Sequence, residues 1–353
     1  LQQPGAAGLV NALRSILQAS AHGGGCNHVL KSPLTCQTAR WMAHRAARIA
    51  ASETGYDPAS CQADVSSLTM AYPFLEREVV GYSVMGKPIE AIRFGEGRRR
   101  LHLHAACHAN EWITSLLAMT LLEDLACCYA DGQPFGWLDP QEVYSRYTLW
   151  LVPMVNPDGV ELVVDGVSEQ HPWRERLLAW NGGSSDFQQW KANVRGVDLN
   201  DQYPAFWEEE CARRAVPGPG PRDYPGPAPL SEPEAQAMAA WTGRKDFETV
   251  LSLHTQGQEI YWNYRGYEPP HAEALARRLA KASGYEAVKL EGSDAGYKDW
   301  FIYAFGRPGF TIEAGCGVNP LPLTQLVDMY AEIKSLYIQL LTDLSAQQTD
   351  TPK

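Results

Sequence analysis

Four residues set far apart in the chain have the types and settings that metal chemistry requires: His108, Glu111, His254 and Glu313. His108 and Glu111 stand three apart in Cys107-His108-Ala109-Asn110-Glu111-Trp112, so one helical turn brings both to the same side. An imidazole and a carboxylate at that spacing suit zinc, which takes nitrogen and oxygen donors. Taken alone the pair is weak, since such pairs also form ordinary surface hydrogen bonds. His254 offers a third ligand, because the apolar run Val250-Leu251-Ser252-Leu253 stops abruptly there. Catalytic zinc commonly has three protein ligands and one position left for water. Glu313 follows Phe310-Thr311-Ile312, where a buried strand would otherwise continue. A buried carboxylate without a partner is costly, so a partner is implied.

Such residues need elements to hold them. From about Tyr56 the chain alternates strand-like and helix-like stretches, the pattern of an α/β domain with a mixed sheet flanked by helices. Strands are predicted over 101–106, 147–155, 247–253 and 310–313, and helices over 112–129 and 323–344. Asn156-Pro157-Asp158-Gly159 reads as a turn, and 211–233, rich in Pro and Gly, as an ordered irregular loop. The marked polar residues fall at strand ends and helix starts, the edge where sites form in open α/β sheets. Residues 1–55 read as a small helical N-terminal extension of unknown role, with helices over 9–18 and 38–52 around Gly23-Gly24-Gly25, ahead of a catalytic domain over 56–353. His22, His28 and His44 in that extension are given no metal role.

Together these motifs resemble the zinc metallocarboxypeptidase family, in family order over about 56–345. His108 to Thr114 resembles the first metal motif, Asn156 to Gly159 the turn after the central strand, and Gly196-Val197-Asp198-Leu199-Asn200 the substrate loop. Ser231-Glu232-Pro233-Glu234 resembles the helix start that follows, Ser252-Leu253-His254 the third-ligand motif, and Thr311-Ile312-Glu313 the strand bearing the catalytic Glu. Within the family the chain looks most like γ-D-glutamyl-L-diamino acid endopeptidases of bacterial peptidoglycan. His108 to Thr114, 190–202, 218–229 and Gly296-Tyr297-Lys298-Asp299-Trp300 carry that likeness.

The resemblance implies one zinc per chain on His108, Glu111 and His254. It implies Glu313 as the base that takes the water proton, and Asp198 as the carboxylate orienting His108. The family places an Arg after a Trp to stabilise the oxyanion; here Lys191 follows Trp190 and is the candidate. Where ordinary exopeptidases continue Asn-Arg to grip a terminal carboxylate, this chain has Asn200-Asp201, and an Asp would repel that group. Lys298 falls where the family reads the substrate side chain, so a cation there suits a substrate carboxylate. Asp201 is assigned to an ammonium on the same substrate. Arg195, Arg222 and Arg265 are further candidates for substrate carboxylates, and sequence does not rank them.

Other features weigh less. His102 and His104 share one face of the strand before the metal motif and read as satisfied strand histidines; Cys107 should point away from His108. Eight cysteines scattered through a long chain read mostly as reduced thiols. A formal net charge of −11 disfavours nucleic acid and anionic lipid as partners, so an anionic substrate must be held by local cations. No apolar run is expected to reach membrane-spanning length, and no obligate protein partner is evident. No signal segment is visible in this numbering, which favours bacterial cytoplasm over the cell envelope. The leading expectation is a peptidase acting on γ-D-glutamyl-diaminopimelate bonds in peptidoglycan-derived peptides. The alternatives are a conventional carboxypeptidase and a non-catalytic wall-peptide-binding protein.

Overall fold

In a computed structural model, which describes residues 55–346, eight strands form one mixed sheet. They are β1 (Glu76–Tyr82), β2 (Pro88–Phe94), β3 (Arg99–His104), β4 (Tyr147–Val152), β5 (Thr249–His254), β6 (Glu259–Tyr261), β7 (Glu286–Val288) and β8 (Gly309–Glu313). Their order across the sheet is β1-β2-β4-β3-β5-β8-β6-β7. The four central strands, β4, β3, β5 and β8, run parallel. Every residue of β4 and β5 is buried, as expected for parallel strands covered on both faces by helices. Their carboxyl ends therefore open on one edge, and each central strand delivers a marked residue or turn there.

Among the described residues the predicted strands and helices all appear, with ends shifted by a few residues. Two expectations change in kind. Asn156-Pro157-Asp158-Gly159 is the start of the helix Pro157–Asp165, with the Asn156 side chain capping Gly159 N at 3.0 Å. Proline suits the first helical position because its missing N–H would have had no partner. The stretch 211–233 is not wholly irregular, since the helix Trp207–Arg214 runs into it. The helices expected over 9–18 and 38–52, the histidines at 22, 28 and 44, and Cys26 and Cys36 lie outside the described residues.

The helix Ile113–Asp131 corrects the statement about apolar runs. By length and composition it is apolar enough to cross a membrane, yet 89% of its most apolar window is buried inside the molecule. It is the core helix against which Pro58–Ala71 and Leu326–Ala346 pack. The helix ends at Gly132, whose φ of 62° lets its N–H turn back to the carbonyls of Cys128 and Tyr129. Four of the six described cysteines, Cys61, Cys107, Cys127 and Cys128, are buried.

His102 and His104 have the structural role expected of them. Their rings lie among Trp241, Phe247 and Tyr297, and burial drives His102 down to about 3 and His104 well below its ordinary value, so both are neutral. If His102 Nδ1 donates to the Trp150 carbonyl at 3.3 Å, its Nε2 accepts from His104 Nδ1 at 3.1 Å. One chain of hydrogen bonds thus sets both tautomers.

Candidate active site

Beyond β3 the chain stays in register for two more residues. Ala105 N donates to Val152 O, and Asn156 N donates to Ala106 O. Ala106 then takes a left-handed conformation, φ 48°, rare for a residue with a Cβ, and the backbone leaves the sheet. Thr114 Oγ1 locks the bend, accepting from Ala106 N at 2.9 Å and donating to the Glu111 carbonyl at 2.7 Å. The short 3-10 turn Ala109–Glu111 follows, which carries Glu111 back toward His108. On the neighbouring strands His254 and Glu313 are direct cross-strand partners at the ends of β5 and β8. Two residues 59 positions apart thus meet by register alone.

His108, Glu111 and His254 converge, each offering a ligand atom within 4.8 Å of the others, and all three are buried. His108 Nδ1 lies 2.9 Å from Glu111 Oε1, His254 Nδ1 lies 3.0 Å from Glu111 Oε2, and the two Nδ1 atoms are 3.1 Å apart. Two imidazole nitrogens and a carboxylate whose lone pairs point to one place cannot all be satisfied by a shared proton. A divalent cation satisfies the three together, and two His with one Glu is a donor set that zinc accepts. His108 Nε2 faces Asp198 Oδ1 at 3.1 Å, so its other nitrogen is the one left toward the cluster.

Electrostatics follow this packing. Burial pushes the Glu111 carboxyl up, but the facing His108 and His254 outweigh it and hold Glu111 well below the usual carboxylate range. Burial and Lys191 act against charge on His108, while Glu111 and Asp198 raise it to about 9. His254 is lowered, chiefly by burial. Glu313, partly open at the site's edge, is pushed up to about 8 by burial and then by the charge of Glu111, with His108 and Lys191 opposing.

The substrate-loop residues gather beside the cluster. Lys191 keeps its charge: burial alone would lower it, but Asp198 and Glu111 raise it. Its backbone is pinned, with N donating to Pro221 O at 2.8 Å and O accepting from Ala109 N at 3.0 Å. Asn200 Oδ1 accepts from Tyr297 N at 3.2 Å, tying this loop to the helix Tyr297–Phe305. Arg195 is half-exposed and meets Glu232 at 3.6 Å.

The two charges assigned to reading the substrate are not free. Asp201 is buried and met by Arg214, with Nε and Nη2 each 3.0 Å from a carboxylate oxygen. Burial first, then Asp198, pushes Asp201 up to about 7. Lys298 is also buried; its ammonium donates to the Asn263 carbonyl at 2.8 Å and pairs with Asp299. A buried charge requires such a partner, and spacing along the chain did not reveal either one. In this conformation neither residue presents an unpaired charge to a substrate.

Sequence reasoning also missed Asn319, whose amide approaches Glu111 Oε1 at 3.5 Å and donates to Thr255 O at 2.9 Å. It lies 208 positions from Glu111, and no local pattern marks it. Asn156 was read only as a turn residue. Besides capping a helix, its Nδ2 reaches the carbonyls of Cys107 and Ala192, each at 3.1 Å, joining the loop before His108 to the loop of Lys191.

Comparison with known proteins agrees with this geometry. The zinc carboxypeptidase family matches residues 62–332, which include every candidate site residue. A γ-D-glutamyl-L-diamino acid endopeptidase 1 of Lysinibacillus sphaericus is 45% identical over 291 residues, spanning 82% of this chain and 73% of that protein. Human carboxypeptidase B is 24% identical over 249 residues, 69% of this chain and 53% of that protein. Bovine thrombin-activatable fibrinolysis inhibitor superposes with a TM-score of 0.65 at 19% identity, covering 84% of this chain and 99% of that chain, a likeness of fold. With the match running through the sheet, the metal cluster and the loops around it, this chain belongs to the zinc carboxypeptidase family and is a zinc metallopeptidase.

Proposed function

We propose that the chain hydrolyses the amide between the γ-carboxyl of D-glutamate and diaminopimelate in bacterial peptidoglycan peptides. The observation that carries this reading is the 45% identity to an enzyme named for that class of bond, over 82% of this chain. His108, Glu111 and His254 hold zinc, and Asp198 keeps His108 in the tautomer that ligation needs. When bound, zinc supplies a Lewis acid that activates water and polarises a carbonyl. Glu313 accepts the proton of the attacking water and returns it to the leaving amine. Lys191 faces the oxygen on which negative charge develops. Asn200 and Arg195 line the substrate loop, and Asp201 and Lys298 serve specificity only where substrate displaces their present partners.

A conventional carboxypeptidase reading has one feature in its favour. Arg214 lies against Asp201, beside Asn200, and could stand in for the missing carboxylate-gripping Arg. Asp201, Glu210 and Asp223 already share that guanidinium, which leaves little charge for a substrate terminus. The readings separate by the ratio of kcat/KM on a γ-D-glutamyl-diaminopimelate peptide to that on a plain hippuryl substrate. A preference on the order of a hundredfold for the former is expected. Equal efficiency would return the protein to the exopeptidase class.

A further inference from the structure

The three arginines that sequence could not rank are separated by their surroundings. Arg265 is engaged by Asp294 through two bonds of 2.7 and 2.8 Å, reaches Glu209, and lies 4.1 Å over the Phe206 ring. Arg195 leans on Glu232 and lies 5.9 Å from the Trp173 ring. Arg222 is half-exposed, and its ion pair is a loose one, 3.5 Å to the adjacent Asp223. Asp223 is itself drawn toward Arg214 at 3.3 Å. Arg195 and Arg222 both have loose ion pairs, at 3.6 and 3.5 Å, but of these two only Arg222 shares its carboxylate with a second arginine, Arg214.

Its backbone is clamped to the catalytic machinery on both sides. Pro221 O accepts from Lys191 N and Ala192 N, at 2.8 and 3.0 Å. Asp223 N donates to Oδ2 of Asp198, the carboxylate that faces His108, and Tyr224 O accepts from Asp198 N at 2.8 Å. Asp223 is held in the left-handed region, φ 64°, a conformation that a non-glycine residue keeps only when its surroundings impose it. The Pro-rich strap thus has a fixed corner, with Arg222 one residue from contacts to both Lys191 and Asp198. Its charge is felt at the Lys191 ammonium.

We propose that Arg222, beside Lys191, receives the free carboxylate of the residue on the acyl side of the scissile amide. This inference rests on the proposed function. A γ-linked glutamyl group carries its α-carboxylate four carbon–carbon bonds from the scissile carbonyl. With Lys191 on the carbonyl oxygen, an anion so close falls next to the neighbouring cation on the strap. Asp201 and Lys298 are paired elsewhere, so Arg222 supplies the charge recognition that those two do not. A peptide in which this carboxylate is converted to the carboxamide is then a poor substrate, although the scissile bond is unchanged.

The test uses two peptides that differ only at that group, α-carboxylate or α-carboxamide, on the zinc-loaded full chain. Wild type should prefer the carboxylate by about ten- to a hundredfold in kcat/KM, the range of one hydrogen-bonded charge contact. Arg222→Gln should bring the ratio to within about threefold at unchanged melting temperature, and Arg222→Lys should restore part of it. Calorimetric binding of the same peptides to Glu313→Gln, with and without Arg222→Gln, reads the contact without turnover. Failure of wild type to cut either peptide would count against the proposed function, and the binding arm would still decide the role of Arg222. A carboxylate preference that is absent in wild type, or that persists in Arg222→Gln, overturns the inference.

Discussion

Glu111 is the residue on which the site turns. Both of its oxygens are engaged, one by His108 and one by His254, and Thr255 N donates to it as well at 3.2 Å. Glu313, the proposed base, pairs with His254 in the sheet register but is not one of the three residues that converge as a possible metal cluster. Glu313→Gln should therefore keep about one zinc per chain and the native circular dichroism while kcat falls by at least about a thousandfold. Metal analysis alongside turnover checks this, and full activity would remove Glu313 from the proton transfer. Lys191→Ala should lower kcat more than it raises KM, since charge on the carbonyl oxygen grows toward the transition state. A raised KM with kcat unchanged would make Lys191 a ground-state contact.

At the scale of elements, the site is made by loops held to one another rather than by any one strand. Asn156 and the pair Asn193–Glu234 are the clearest staples. Asn193 Nδ2 donates to Glu234 at 3.3 Å and to Glu232 at 2.8 Å, and Glu234 accepts from Val84 N at 3.0 Å, at the start of the helix Pro233–Lys245. Burial raises the Glu234 carboxyl from 4.5 to about 7, with Asp158 and Glu232 adding to it. Because the folded value exceeds the unfolded one, the native state binds the extra proton. The stabilisation is complete below about pH 4.5 and is lost as pH rises through about 7. Denaturant titrations at pH 5 and 8 should show wild type gaining about 2 to 3 kcal/mol more than Glu234→Gln on going to the lower pH. Equal pH dependence in the two proteins would place the Glu234 proton elsewhere. The staples themselves were not readable in advance: Asn156 carries an ordinary turn signature, and its two carbonyl partners lie 49 and 36 positions away.

For the whole molecule, the chemistry was legible and the specificity was not. His108 and Glu111 declare themselves by local spacing, and His254 and Glu313 by interrupting apolar strands, because both signals depend on backbone periodicity. The partners of Asp201 and Lys298 depend on where distant side chains or a helix turn lie, which periodicity does not encode. The long apolar helix illustrates the same limit, since only packing shows that its surface is spent on the core. Leu117→Ala within that helix should cost about 2 to 5 kcal/mol by denaturant unfolding, with the metal site intact in the folded fraction. A cost under about 1 kcal/mol would mean that the core relaxes around the cavity.

Mass spectrometry of products from the tetrapeptide L-alanyl-γ-D-glutamyl-diaminopimelyl-D-alanine tests the central claim most directly. Cleavage should yield L-alanyl-D-glutamate and diaminopimelyl-D-alanine, and a chelator should abolish both products. Release of D-alanine with the tripeptide left whole would contradict the account and assign the protein to the conventional carboxypeptidases.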